Sequence, residues 1–263
     1  MPTVKEIATA IEAVAPLCLQ ESYDNSGLQI GREGNSVDSV LVCLTPTEAI
    51  VNEAIERGCN LIVSHHPLLF RGLKRISDAT ATERIAVQAI RHNISLYAAH
   101  TNLDSTAEGV SADIAQALGM TDVEPLVPTA PGASTGLGTI GEMPAPVPVL
   151  EFLRQLQKVF GVKALRYSAT TPKIVIRRVA VCGGSGSSFI TDAIARGADA
   201  YVTGDLGYHD FDSYGSEILL ADIGHFESEL GARKLLRSIL EEAFPDLAVM
   251  TADCETNPVK TLS

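Results

Sequence analysis

An internal repeat constrains the fold of this chain more than any other feature of its sequence. When the sequence is shifted by 139 residues, VLVCLTPTEAIVNEAIERGCNLIVS (40–64) aligns without a gap to VAVCGGSGSSFITDAIARGADAYVT (179–203), and eight of 25 positions are identical. Each copy contains an apolar run, a helical run that ends at a glycine, and a second apolar run. The repeat predicts an α/β fold of two similar lobes, with mostly parallel sheets flanked by helices. We place them at residues 1–124 and 125–263, with the C-terminal segment able to pack back on the first lobe.

The first lobe shows helix and strand signals in alternation. Thr3 and Glu6 form a capping-box pattern ahead of a helix that ends before Pro16. Thr45, Pro46 and Glu48 predict the start of a second helix, and Ser105 with Glu108 predict the start of another. The remaining elements expected in this lobe are strands at 40–44, 61–64 and 95–98 and a helix at 83–92.

The stretch between residues 125 and 148 has a different composition. It contains six prolines and four glycines with few charges, which predicts an irregular connection between the lobes. A helix at 149–160 and a strand at 178–182 are expected to follow.

Composition excludes several classes of protein. The 263 residues carry a formal charge of −12, so the chain should repel phosphate backbones and anionic membranes on average. A hydrophobic content of 46% excludes bulk disorder, and no apolar run approaches 18 residues. Five cysteines without a C-x-x-C argue against a disulfide framework and a thiolate zinc site. We therefore expect a cytoplasmic protein with no membrane partner.

Polar residues collect directly after the predicted strands. Four of the six histidines lie there, and ligands of parallel α/β sheets gather at the carboxyl ends of strands. The candidate residues are His65, His66, His100, Asp104, His225 and Glu229.

Each of these signals has a simpler alternative. Adjacent His65 and His66 can aim one ring at each of two metal ions, or they can be a pair in a surface loop. His225 and Glu229 share one helical face at i, i+4, as in metal sites, although a helix cap with a solvated glutamate has the same spacing. Asp104 can bind metal or favour a helix N-terminus.

Taken together, these residues form a mixed nitrogen and oxygen ligand set. That chemistry suits two divalent ions chosen among Zn, Mn, Fe, Co and Ni. Two ions roughly 3.5–4 Å apart would activate a water and stabilise the attacking and leaving oxygens. Glu229 is a candidate bridging and catalytic carboxylate. His100 is a candidate catalytic proton carrier, a residue that holds a ligand in place, or a core histidine.

Two further segments are candidates for binding an anionic substrate. The amides of Gly184 and Gly186, in a glycine-rich run between a strand and a helix, could hold an anion, or the run is only a tight turn. Arg71 and Lys74 follow the histidine pair and could bind phosphate, or they belong to a solvated loop.

Six motifs occur along the chain in a fixed order: YDNSGLQIG (23–31), SHHPLLF (64–70), HTNLDS (100–105), VAVCGGSG (179–186), TGD (203–205) and DIGHFESE (222–229). In this order they resemble a known family, the dinuclear-metal-centre proteins called NIF-three-like and often catalogued as GTP cyclohydrolase I type 2 homologues. The chain departs from the family at Tyr23, where Trp is usual.

The resemblance implies two similar α/β lobes, a toroidal homohexamer, and metal ligands at His65, His66, Asp104, His225 and Glu229. The catalogue name implies hydrolytic opening of the guanine ring of GTP. We therefore predict a metal-dependent hydrolase of a nucleotide or pterin-like substrate. The alternatives are a non-catalytic metal-binding or regulatory ring and a clamp around nucleic acid, which the charge of −12 disfavours.

Overall fold

A computed structural model of the chain describes residues 1–169 and 173–262, which fall into two compact units. The first unit contains residues 1–103 and 232–256, and the second contains 104–231 and the residues from 257 onward. This division comes earlier in the chain than the expected boundary at residues 124 and 125, and its late segment in the first unit agrees with a C-terminal segment able to pack back on the first lobe.

Helices and strands alternate along the chain. In chain order the helices are α1 (Val4–Val14), α2 (Glu48–Glu56), α3 (Ala81–Arg91), α4 (Thr101–Asp104), α5 (Val110–Ala117), α6 (Val149–Phe160), α7 (Ile190–Ala195), α8 (Tyr208–Tyr214) and α9 (His225–Ala243). The strands are β1 (Gly27–Ile30), β2 (Ser39–Cys43), β3 (Leu61–Ser64), β4 (Ser95–Ala98), β5 (Thr121–Pro128), β6 (Gly136–Pro148), β7 (Arg166–Tyr167), β8 (Val175–Ser185), β9 (Ala200–Gly204), β10 (Leu219–Asp222) and β11 (Ala248–Thr251).

The first unit is built on a sheet with the strand order β1-β4-β3-β2-β11. Strands β4, β3, β2 and β11 are parallel to one another, and β1 pairs antiparallel with β4 at the edge of the sheet. Every residue of β2, β3 and β4 is buried, as expected for parallel strands covered on both faces. Helices α2 and α3 contribute Ile50, Val51 and Ile85 to the core on one face of this sheet.

The second unit is built on a mixed sheet. Among the described residues its strand order is β5-β6-β8-β9-β10-β7. The β8-β9-β10 portion is parallel, as the sequence predicted, whereas β5, β6 and β7 pair antiparallel. The α/β class with two sheets flanked by helices is therefore confirmed, but parallel pairing dominates only in the first sheet.

The two copies of the repeat adopt the same βαβ unit with the same register. Val40 pairs with Leu61 between β2 and β3, and Val179 pairs with Ala200 between β8 and β9. Both positions of the second pair are those of the first shifted by 139 residues. The repeat therefore predicted the order of these elements, and the structure shows that the two copies also share their strand register.

The prediction of an irregular connection over 125–148 is wrong, because this stretch contains the second half of β5 and the whole of β6. Pro125 and Pro128 lie on β5 at the edge of the sheet, where a strand tolerates residues that cannot donate a hydrogen bond. Pro144 and Pro146 lie where the register between β6 and β8 shifts. These four prolines thus occupy positions of the sheet where the backbone need not donate a hydrogen bond to a neighbouring strand.

Two predicted helix caps are also wrong. The N-cap of α2 is Thr47, whose hydroxyl accepts from the Ile50 amide at 3.2 Å. Helix α5 begins after Gly109 without a side-chain cap, so Ser105 and Glu108 do not form a capping box there. In contrast, Thr3 and Glu6 form the expected capping box of α1.

All five cysteines are described and are free thiols. Of the described helices, none combines the length and the apolar character that crossing a bilayer requires.

Candidate metal centre

Three histidines meet at the carboxyl ends of β3 and β4 in the first unit. His65 and His66 directly follow β3, His100 lies two residues after β4, and the parallel pairing of Ser64 with Ala98 brings these ends together. One ring nitrogen from each histidine lies within 4.8 Å of the other two. His65 is fully buried, and the other two rings are partly exposed. This convergence is the arrangement that the strand-end argument predicted.

Each of these three rings is held by an oxygen atom at Nδ1. The distances from Nδ1 are 2.9 Å for His65 to the Ala99 carbonyl, 2.8 Å for His66 to Thr45 Oγ1, and 2.8 Å for His100 to Asp24 Oδ1. An Nδ1 engaged in this way fixes ring orientation and leaves Nε2 as the nitrogen that can bind a metal ion.

Asp24 is a rigid anchor for His100. Its carboxylate also accepts from the Thr101 amide at 3.0 Å, the Thr101 hydroxyl and Ser26 Oγ. Burial would raise the pKa of Asp24, but hydrogen bonds from His100 and Thr101 outweigh burial and hold that pKa well below its usual range. Asp24 therefore presents a fixed negative charge to His100.

Thr45, the partner of His66, is itself fixed by the C-terminal part of the first unit. Glu255 accepts from the Thr45 amide at 2.8 Å and from the Leu44 amide at 2.9 Å. Arg233 Nη1 lies 3.1 Å from the same carboxylate, whose side chain is only 6% exposed. Glu255 thus accepts hydrogen bonds from the two backbone amides that follow β2 and holds the loop that carries the Thr45 hydroxyl.

In the second unit, His225 and Glu229 lie on the first turn of α9. His225 Nε2 is 2.9 Å from Glu229 Oε2, and His225 Nδ1 is 2.7 Å from Asp205 Oδ2. Hydrogen bonds to Glu229 and Asp205 raise the pKa of His225 to about 9 against the opposing effect of burial. Asp205 adopts a left-handed conformation, with φ of +57°, directly after β9.

Glu229 is 4% exposed, and Asp104, the other candidate carboxylate of this unit, is partly buried. Burial raises the pKa of the Cys182 thiol to about 12, and the charges of Asp104 and Glu229 both add to this effect. Both carboxylates therefore lie close enough to the Cys182 thiol to oppose its ionisation.

Gly184 makes room for the His225–Glu229 pair. A Cβ at this position would overlap Glu229 Oε1 and lie 3.4 Å from His225 Cε1. The backbone there has φ of +67°, which residues with a side chain rarely adopt. The glycine-rich run therefore has a steric role beside these two residues.

The predicted anion-binding role of the glycine-rich run competes with internal hydrogen bonds. The Gly184 amide donates to Ser228 Oγ at 2.9 Å, and the Gly186 amide donates to Thr203 Oγ1 at 3.0 Å. An anion would have to displace these hydroxyls. Arg71 and Lys74 are exposed in the loop that follows His66, and their role in binding phosphate stays a prediction.

Four residues that orient the histidines had no role assigned from the sequence. Asp24 and Asp205 lie within the motifs YDNSGLQIG and TGD, and Asp205 also follows β9 directly, so the strand-end argument could have given it a role. Thr45 contacts His66 across 21 residues of chain, and Glu255 holds Thr45 across 210 residues, so no local pattern marks these two.

Histidines fixed by oxygen atoms in each unit, together with the buried Glu229 of the second unit, define a candidate divalent-metal protein of the α/β class. The chain belongs to the Duf34/NIF3 family (NGG1p interacting factor 3), whose family model matches residues 2–258.

Known relatives cover most of the chain. A protein of Clostridium perfringens named GTP cyclohydrolase 1 type 2 homolog is 37% identical over 229 residues, which is 86% of each chain. A Streptococcus pneumoniae protein with the same name is 35% identical over 260 residues, covering 96% of this chain and 97% of the relative. The crystal structure of a Bacillus cereus protein related to NIF3 superposes with a TM-score of 0.88 at 26% identity, covering 99% of both chains.

Proposed function

We propose that this chain holds two divalent metal ions and uses them to hydrolyse a nucleotide or pterin-like substrate. The ligands in this proposal are His65, His66, Asp104, His225 and Glu229. One observation carries the proposal: Nδ1 of each of these three histidines is bound to an oxygen atom within its own unit. This pattern is typical of metal-binding histidines. The names of the C. perfringens and S. pneumoniae relatives support GTP cyclohydrolase-like chemistry.

The protein's own residues have distinct roles in this proposal. Bound divalent ions would supply an activated water and stabilise negative charge on the leaving oxygen. Glu229, buried at the start of α9, serves as a carboxylate ligand. His100, whose ring is held by Asp24 through Nδ1, is the residue proposed to carry a proton to or from the substrate.

The proposal extends to binding and assembly. Arg71 and Lys74 are exposed cations that would contact a substrate phosphate, with Gly184 and Gly186 as possible further anion contacts. The family resemblance supports a homohexamer of this chain in the cytoplasm. Light scattering on the purified protein tests the assembly, and a mass of one or two chains would contradict it.

Elemental analysis of untagged protein purified without chelator tests the metal site. We expect near two divalent ions per chain, fewer in His66→Ala and Glu229→Gln, and an unchanged number in His92→Ala. His92 is the matched control because it is an exposed histidine of the first unit that lies away from the proposed site. No uptake of Zn, Mn or Fe(II) by the wild-type protein would overturn the ligand assignment.

Turnover separates the proposed hydrolase from the alternatives. Metal-loaded protein is assayed with GTP and with a pterin, and we expect product from the wild type and the His92→Ala control but not from His66→Ala. Full metal content without turnover would indicate a non-catalytic metal-binding ring instead. Salt-dependent DNA binding without turnover would indicate the nucleic-acid clamp.

A further inference from the structure

Two exposed aromatic side chains lie beside the histidines of the first unit. Tyr23 is 62% exposed and Phe70 is 43% exposed. Their ring centroids are 6.4 Å apart, and the Phe70 ring meets the His100 ring edge-to-face at 6.1 Å. Large apolar rings kept at the surface in contact with each other and with a candidate catalytic residue suggest a binding role.

The two loops that carry these rings are fastened to each other. Asn25 Nδ2 donates to the Leu69 carbonyl at 2.7 Å, and the Leu69 amide donates to Gln29 Oε1 at 3.1 Å. Asn25 lies two residues after Tyr23, Gln29 lies on β1, and Leu69 precedes Phe70. Polar side chains near Tyr23 therefore hold the loop that carries Phe70, so the ring pair does not depend on apolar burial for its position.

We propose that Tyr23 and Phe70 form an aromatic shelf that stacks the flat nitrogen heterocycle of the substrate next to His100. This inference rests on the proposed function and adds the substrate's ring as the group that these residues recognise. The two rings are tilted by 58° at a contact distance, so no third ring fits between them. The heterocycle would therefore stack on their exposed faces.

The neighbouring charges agree with a ligand that combines a flat ring with an anionic group. Arg71 directly follows Phe70 and Lys74 lies four residues beyond it, and both are exposed. A sugar phosphate attached to a ring on the shelf would meet these cations, whereas a purely apolar ligand would leave them without a role.

The experiment uses the absence of tryptophan from this chain. In Tyr23→Trp the single indole reports stacking by fluorescence quenching, and Tyr208→Trp is the matched control because Tyr208 is an exposed tyrosine of the second unit. The full-length metal-loaded variants are titrated with guanosine monophosphate and with ribose 5-phosphate, which has the phosphate but no aromatic ring. We expect saturable quenching only for Tyr23→Trp with guanosine monophosphate.

A second substitution tests Phe70. Adding Phe70→Leu to Tyr23→Trp should weaken binding of guanosine monophosphate about 10-fold or more, whereas Phe70→Tyr should retain it. Metal content should be unchanged in both variants.

Each other outcome has a distinct meaning. Equal quenching by ribose 5-phosphate, or no quenching in protein with full metal content, would overturn the shelf and leave the metal site intact. A change in oligomer size in Phe70→Leu without loss of ligand binding would also overturn it, because the rings would then be a contact between copies. Saturable quenching in protein that binds no metal would support the shelf while contradicting the proposed function.

Discussion

At the scale of single residues, the candidate site depends on what each histidine does with Nδ1. A carbonyl, a hydroxyl and two carboxylates occupy the Nδ1 positions of His65, His66, His100 and His225. Such partners select one tautomer or stabilise the charged ring, and they prevent rotation. The proposed metal-binding function would explain why four separate residues of the chain hold these histidine rings in place.

A substitution at Gly184 tests whether metal binding depends on the position of Glu229 in the second unit. Gly184→Ala should lower metal affinity about 10- to 100-fold, because the added Cβ overlaps Glu229 Oε1 and displaces that carboxylate. Gly197→Ala is the matched control, since Gly197 has a similar φ of +73° but nothing within 4 Å of the added Cβ. Isothermal titration with Zn²⁺ measures both. Equal losses in the two variants would show that backbone strain alone is responsible.

At the scale of elements, strand ends bring the site residues together, and the segment after β11 secures one of those ends. Residues 253–255 run beside α2 and the loop that follows β2, where Glu53 and Glu255 accept backbone amides across the junction. The C-terminal part of the first unit therefore supports the loop that carries Thr45, and through it the orientation of His66.

Removing the Glu255 charge should disturb both stability and metal binding. Glu255→Gln weakens the acceptor of two amides and leaves the partly buried Arg233 without its ion pair, so we expect a loss of about 1–3 kcal/mol in the free energy of unfolding. Denaturant titration measures this loss, with Glu241→Gln, from an exposed pair with Arg237, as the control. Thr45→Val should weaken metal binding with a smaller loss of stability. Unchanged metal affinity in both Glu255→Gln and Thr45→Val would contradict the positioning role.

Glu53 should make the stability of the first unit depend on acid pH. Burial raises its pKa, but hydrogen bonds from Cys254, Asp253 and Arg57 outweigh burial and hold the pKa at about 2. Because the unfolded carboxylate takes up its proton near pH 4.5, the stabilisation is complete above that pH and is lost as the pH falls toward 2. The stability difference between wild type and Glu53→Gln, measured by denaturant titration from pH 6 to 3, should therefore shrink as the pH falls. A constant difference would contradict this assignment.

At the scale of the whole molecule, the sequence predicted the repeated βαβ units. It did not predict the β5–β6 hairpin or the contacts between residues that are far apart in the chain. The 139-residue repeat predicted two βαβ units, because buried parallel strands have a continuous apolar pattern. The β5–β6 hairpin was missed because its prolines resemble a linker unless their edge and register-shift positions are known. The orienting residues Asp24 and Glu255 were missed because only the folded chain brings them to the histidines.

Removing the metal ions should lower the thermal stability of the folded chain. Ions that bind only the folded chain stabilise it by mass action, by about 2.7 kcal/mol at a metal concentration 100 times the dissociation constant. For a chain of this size, chelation should therefore lower Tm by roughly 5–10 °C, and Zn²⁺ or Mn²⁺ should restore it. Scanning calorimetry measures the shift, and His66→Ala should lose most of it while His92→Ala keeps it. An identical Tm before and after chelation, in protein shown to contain metal, would mean that the ions bind outside the folded site, since the histidines described here exist as a cluster only in the folded chain.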